Sequence, residues 1–167
     1  GMVPDCVPWV MNQLQILSLE IQRMPKNPQD AFGHVQWYPE RSVCTTGSHD
    51  TETLRQWWEL NYEDTRRFYY DERHGTGECP KEANTDICTQ IIDQHLKCPS
   101  LFCILPMQDW LSIDQDLRLP DTNAERINIP ANPRHYWRYR MHLTLEQLLA
   151  AQSFNECVSG MISAAGR

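Results

Sequence analysis

Three short β-prone runs, ILSLEIQ (16–22), RSVCTT (41–46) and LFCILP (101–106), punctuate a chain whose other periodic stretches are helical. That alternation constrains the fold more than any other feature. In the first run Leu17, Leu19 and Ile21 alternate with polar partners, which is the two-residue period of a strand. The third run is apolar without a break, as expected of a strand covered on both faces. After the second run, Leu54, Trp57, Trp58, Tyr62, Phe68 and Tyr69 recur near three-four spacing. They predict a helix over about 51–70, with Asp50 or Thr51 as its N-cap. Ile87, Ile91, Ile92 and Leu96 predict another over about 86–97. VPWVMNQLQ reads as a short helix near the start, because Pro4 and Pro8 suit a helix N-terminus. Thr144 with Gln147 is a capping-box pair opening a last helix to about Ala164. Leu145, Leu148, Leu149, Cys157, Val158, Met161 and Ile162 form its expected apolar side. Met24 to Arg41, with Pro25, Pro28, Gly33 and Pro39, reads as a long loop. Strands separated by helices, one of them doubly covered, predict a parallel α/β architecture.

A length of 167 residues suits one core and falls short of two comfortable domains. The 41% hydrophobic and 22% charged content is that of a soluble globular protein. No apolar run approaches the roughly 20 residues that span a bilayer, so no membrane partner is expected. The opening GMVPDCVPWV lacks a basic region leading into an apolar stretch, so it does not read as secretory. A net charge of −7 argues against nucleic acid as a general partner. Seven cysteines, an odd number without repeated spacing, read as reduced thiols of a cytoplasmic protein. His95 and Cys98 have a ligand-like spacing with Cys103 nearby, but no second tight pair completes a metal set. Neither a metal nor a cofactor is expected.

His49 and Asp50 stand together in the polar turn between the second strand and the following helix. In α/β folds the carboxyl ends of strands and their following loops carry the chemistry. Asp50 capping the helix beside an exposed His49 is one reading; a functional pair is the other. The flanks bear on the choice. Trp37, Tyr38, Trp110, Tyr136, Trp137 and Tyr139 supply flat apolar faces, and carboxylates with Arg and Asn donors lie among them. That combination suits a sugar, although Trp57 and Trp58 on a helix face read first as core. A glycosidase also needs two carboxylates flanking one bond. Asp50 and Asp109 follow strand ends, yet the pair is not evident. Asp109 reads equally as the cap of a short helix or as a group that orients the rim. The basic and aromatic run Arg134–Arg140 reads as packing beneath the rim, with Asn132 or Arg134 near substrate.

SVCTTGSHDTETLRQWW, LPMQDWL and ERINIPANPRHYWRYRMHLTLEQLL, in this order and spacing, resemble the C-terminal third of the 4-α-glucanotransferases of glycoside hydrolase family 77 (amylomaltases or disproportionating enzymes). SLEIQRMPK and NPRHYWRYR are similar to the longer type that carries N-terminal starch-binding modules. The resemblance implies a (β/α)8 TIM barrel that moves α-1,4-glucan segments between maltooligosaccharides by a retaining double displacement. It assigns stabilisation of the transition state to Asp50 and contact with a sugar hydroxyl to His49. The segments bearing the family's nucleophile and acid/base are not matched here. Residues 1–167 are therefore expected to be one partial catalytic domain, about strands six to eight with their helices. Alone it is expected to be inactive, and its open strand edges offer a surface for dimerisation. The alternative is a non-catalytic module that only binds maltooligosaccharide or starch.

Overall fold

The computed structural model describes residues 3–167. Pro8 in the first turn starts helix α1 (Val7–Gln13), where its missing N–H costs nothing. Strands β1 (Ser18–Ile21), β2 (Ser42–Thr45) and β3 (Phe102–Cys103) form one parallel sheet in the order β1-β2-β3. Ser18 pairs with Ser42 and Leu19 with Val43, and on the other side Val43 pairs with Phe102. The 24–41 segment is a loop that includes a short helical turn at Val35–Trp37.

β2 is central, and Ser42 and Cys44 on one of its faces are buried. Ser42 Oγ donates to Ser100 Oγ at 2.7 Å, and the Cys44 thiol lies 3.3 Å from that of Cys98. The opposite face differs from the expectation for LFCILP. Phe102 is 50% exposed and Leu19 52% exposed, and Ile104 is exposed as well. The regular strand is also only two residues long. β3 pairs with β2 alone, and the apolar side that Leu19, Val43 and Phe102 share by register is only partly covered.

The helix expected over 51–70 is broken. It starts at α2 (Leu54–Leu60), whose N-cap is Thr53, with its side chain accepting from Gln56 N. Neither Asp50 nor Thr51 caps it. Asn61, at φ −118° and ψ 50°, separates α2 from α3 (Tyr62–Arg67), and a wider turn follows at Phe68–Glu72. The break lets Trp57, Trp58 and Phe68 turn inward together. Phe32 meets Phe68 edge-on at 5.1 Å and Trp57 meets Phe68 edge-on at 5.6 Å. Such pairs contribute about 0.5–1.5 kcal/mol beyond area burial. Helix α4 (Thr85–Leu96), N-capped by Asn84, closes this core with Ile87, Cys88 and Ile91.

α5 (Met107–Leu111) follows β3 closely, and the irregular stretch beyond it includes a short helical turn at Thr122–Glu125. The capping box of Thr144 and Gln147 is formed as expected, but the last helix is two: α6 (Leu145–Ala150) and α7 (Gln152–Ala164), bent at Ala151. Leu145, Leu149 and Cys157 are exposed, so the inward side narrows to Phe154 with partly buried Leu148, Val158, Met161 and Ile162. Arg167 ties the chain back beneath α4, donating to the carbonyls of Leu96 at 2.6 Å and Ser100 at 2.7 Å. No helix among the described residues is long and apolar enough to cross a membrane.

Candidate functional site

β2 delivers the chain into a tight turn. Thr45 Oγ1 donates to Gly47 O at 2.8 Å, Thr51 N donates to Ser48 O at 3.1 Å, and Ser48 N donates to Thr51 Oγ1 at 2.9 Å. These bonds close a loop whose crest is His49 and Asp50. Both side chains are half exposed, and His49 Nε2 lies 3.3 Å from Asp50 Oδ2. The turn thus lifts a carboxylate and an imidazole to the surface at the carboxyl end of the central strand.

Asp50 is held from a distance in sequence. Asn128 Nδ2 donates to Asp50 Oδ1 at 2.6 Å, and Asn128 N donates to His49 O at 3.1 Å. A bond of that length to a carboxylate is charge-assisted and directional. It occupies one carboxylate oxygen and leaves the second facing His49. The Trp137 ring lies 4.7 Å from the His49 ring, tilted by 44°. An exposed indole, an imidazole and an oriented carboxylate therefore share one patch of surface. Such a patch can stack on a sugar face while its polar atoms take hydroxyls.

A buried polar layer fixes the segment that carries Asn128. Glu125 accepts from Thr53 Oγ1 at 2.7 Å and pairs with Arg55 at 2.5 Å. Gln108 Nε2 donates to Glu125 O at 3.1 Å. Arg126 donates through Nε to Asn128 O at 2.8 Å and pairs with Glu52 at 2.9 Å. Burial pushes the Glu125 carboxyl above the usual carboxylate range, against the pull of Thr53 and Arg55. Each bond here is needed, because an unpaired polar group in this layer would cost about 1–3 kcal/mol.

Asp109 is sealed beneath the turn and does not reach the surface. It accepts from Thr46 Oγ1 at 2.5 Å and from the Leu54 amide at 2.8 Å. It thereby joins the end of β2 to the first turn of α2. Burial raises its carboxyl, opposed first by the Thr46 bond. It does not cap its own helix, as one of its two sequence readings expected; its carboxylate instead takes the first amide of α2.

Asn132 and Arg134 lie on an exposed turn. Asn132 Oδ1 accepts from Arg134 N at 3.0 Å, and Asn132 N donates to Ile129 O at 2.8 Å. Among the described residues no hydrogen bond joins either side chain to His49 or Asp50. The Arg134–Arg140 run is also mostly exposed rather than packed under the rim, with Tyr136 and Trp137 open to solvent. The residue that sequence reasoning missed is Asn128. It lies in the quoted ERINIP stretch, but nothing in the local pattern distinguishes it from Asn132. His95 is buried, with Nδ1 2.7 Å from Ile91 O, and Cys98 meets Cys44. No group of three or more His, Cys, Asp or Glu among the described residues is arranged to hold a metal ion.

Comparison with known proteins adds to this geometry. The family model described as 4-alpha-glucanotransferase matches residues 1–145. The 4-alpha-glucanotransferase DPE2 of Oryza sativa subsp. japonica is 36% identical over 167 residues, covering 100% of this chain and 18% of that protein. The 4-alpha-glucanotransferase of Chlamydia pneumoniae is 28% identical over 166 residues, covering 98% of this chain and 31% of the relative. The chain thus spans 18% and 31% of the length of these two relatives. Among solved structures, the amylomaltase from Streptococcus agalactiae in complex with acarbose superposes with a TM-score of 0.71 at 16% identity. That match covers 100% of this chain and 30% of the other. The α/β fold is therefore that of a part of the amylomaltase.

Proposed function

The chain belongs to the 4-alpha-glucanotransferase family, and from that premise we propose that it is part of an enzyme transferring α-1,4-glucan segments between maltooligosaccharides. In this reading residues 1–167 are one portion of the catalytic domain, about strands six to eight of a (β/α)8 barrel. The three-stranded parallel sheet supports it, since β1 and β3 are each paired on one edge only and the partly open apolar face is of the kind that lines a barrel interior. The nucleophile and acid/base then stand on other strands of the longer protein, and the double displacement retains configuration.

The observation that carries the proposal is the half-exposed Asp50 at the carboxyl end of β2, oriented by Asn128 and flanked by His49. A glucosyl ring flattening toward an oxocarbenium ion gathers positive charge. A carboxylate already aimed at that position stabilises the charge without reorganising. His49 donates to a sugar hydroxyl, and Trp137 offers its face to the ring. Asn132 and Arg134, on the exposed turn beside Trp137, form outer contacts with the glucan. The test is Asp50→Asn in the full-length enzyme, assayed with maltotriose for glucose and longer products. We expect kcat to fall about 100- to 1000-fold, the scale of losing a preorganised charge. A wild-type rate would reject the assignment.

A further inference from the structure

The side chain holding the His49–Asp50 turn from below belongs to a different strand. Arg23 follows β1, two residues past its end. It is half-buried as a whole, with its Nε sealed from solvent. One guanidinium nitrogen donates to Thr51 Oγ1 at 3.1 Å and to the Glu52 carbonyl; the other reaches Thr53 O at 3.4 Å. The guanidinium also lies over the Trp57 ring, 5.6 Å from its centre. Three consecutive residues of the turn are thus tied to one planar cation, which a lysine's single ammonium cannot reproduce.

Gly47 makes room for this arrangement. A Cβ placed there would lie 2.2 Å from Arg23 Nη2 and 2.8 Å from Thr51 Oγ1. No φ in the left-handed region is involved, so the requirement is close approach rather than backbone freedom. Thr51 Oγ1 passes the constraint on, because it also accepts from Ser48 N at 2.9 Å and donates to Ser48 O at 3.1 Å. His49 and Asp50 lie between Ser48 and Thr51, so both flanks of the pair refer to the same guanidinium. Arg126 meets the Glu52 side chain while Arg23 meets its carbonyl, and Arg126 also holds the Asn128 backbone. The ring of bonds from β1 to Asp50 is closed.

We propose that Arg23, admitted by Gly47, is a positioning residue for Asp50: it fixes the turn so that the carboxylate meets the substrate in one orientation. The assignment rests on the transferase reading above. Two readouts separate them. The first needs no catalysis: hydrogen exchange in the Arg23→Ala protein. Amides of residues 48–53 should exchange about tenfold faster or more, with those of α4 unchanged.

The second readout is steady-state kinetics of the full-length enzyme. Arg23→Ala and Gly47→Ala should each lower kcat on the order of 10- to 100-fold, as a misplacement of about 1 Å does. KM should stay near wild type, and the kcat loss should persist at assay temperatures well below the melting point of each variant. The double variant should be no worse than the poorer single one, because both changes remove the same contact. Unchanged exchange in the turn, additive losses in the double variant, or losses that track a falling melting temperature would each overturn the positioning role. An unimpaired Asp50→Asn enzyme would instead overturn the transferase reading, leaving the exchange result to judge Arg23 alone.

Discussion

Lowering the pH should weaken this fold through one buried imidazole, and the size of the effect follows from the structure. His95 is fully enclosed in α4, and burial drives its pKa from 6.5 down to about 4. The bond from its Nδ1 to Ile91 O resists that shift only in part. A neutral ring whose folded pKa lies below its unfolded value contributes stability that is fully present above about pH 6.5 and is lost as pH falls toward 4. Within that window the unfolded chain binds the extra proton, so stability falls by about 1.4 kcal/mol per pH unit. Between about pH 7 and about pH 5 the loss comes to roughly 2 kcal/mol. Asp109 and Glu125, whose carboxyls are raised by burial, act with the opposite sign. The raw slope of the wild type therefore mixes the two. Comparison with His95→Phe, which keeps a planar ring and removes the titration, isolates the imidazole. Urea unfolding followed by tryptophan fluorescence should show the variant losing about 2 kcal/mol less than wild type between these pH values. Parallel pH profiles for the two proteins would refute the argument.

Asn128→Ala removes the donor to Asp50 Oδ1, and the half-exposed carboxylate then turns to water. Discounted for that exposure, the bond contributes about 1–2 kcal/mol, or about a 5- to 30-fold drop in kcat of the full-length enzyme. Steady-state maltotriose disproportionation measures it, and an unchanged kcat would mean that Asp50 is aimed by something else. Arg55→Met strips the buried Glu125 of its cation and should destabilise by about 3–5 kcal/mol, seen as a melting temperature lower by roughly 10 °C. Replacing both partners with apolar residues should recover most of that loss, and thermal unfolding of the double variant checks it.

The sequence showed its local features and hid its long-range ones. Alternating Leu17, Leu19 and Ile21 located β1, and the Thr144–Gln147 spacing located the capping box, because each signal lies within a few residues of its effect. The start of α2 was displaced because Asp50 and Thr51 are taken by other partners. Asp50 accepts from Asn128, 78 positions away, and Thr51 receives Arg23 from 28 positions away. Thr53, whose hydroxyl donates inward to Glu125 and accepts from Gln56 N, became the cap. LFCILP looked doubly buried because its composition is uniformly apolar, and composition does not say which neighbours are present to cover it. His49 and Asp50 were legible as a pair through their place after a strand. Asn128 was not, since its role exists only once two distant segments meet.

Bonds within CTTGSHDTETLRQWW close the turn, but those that hold the turn and Asp50 in place come from outside that stretch. Transplanting those fifteen letters onto a foreign scaffold would carry the spelling without the orientation, since the guanidinium beneath and the amide alongside would stay behind. Anyone engineering this corner for a new sugar should move three separated stretches of chain together, or leave all three alone.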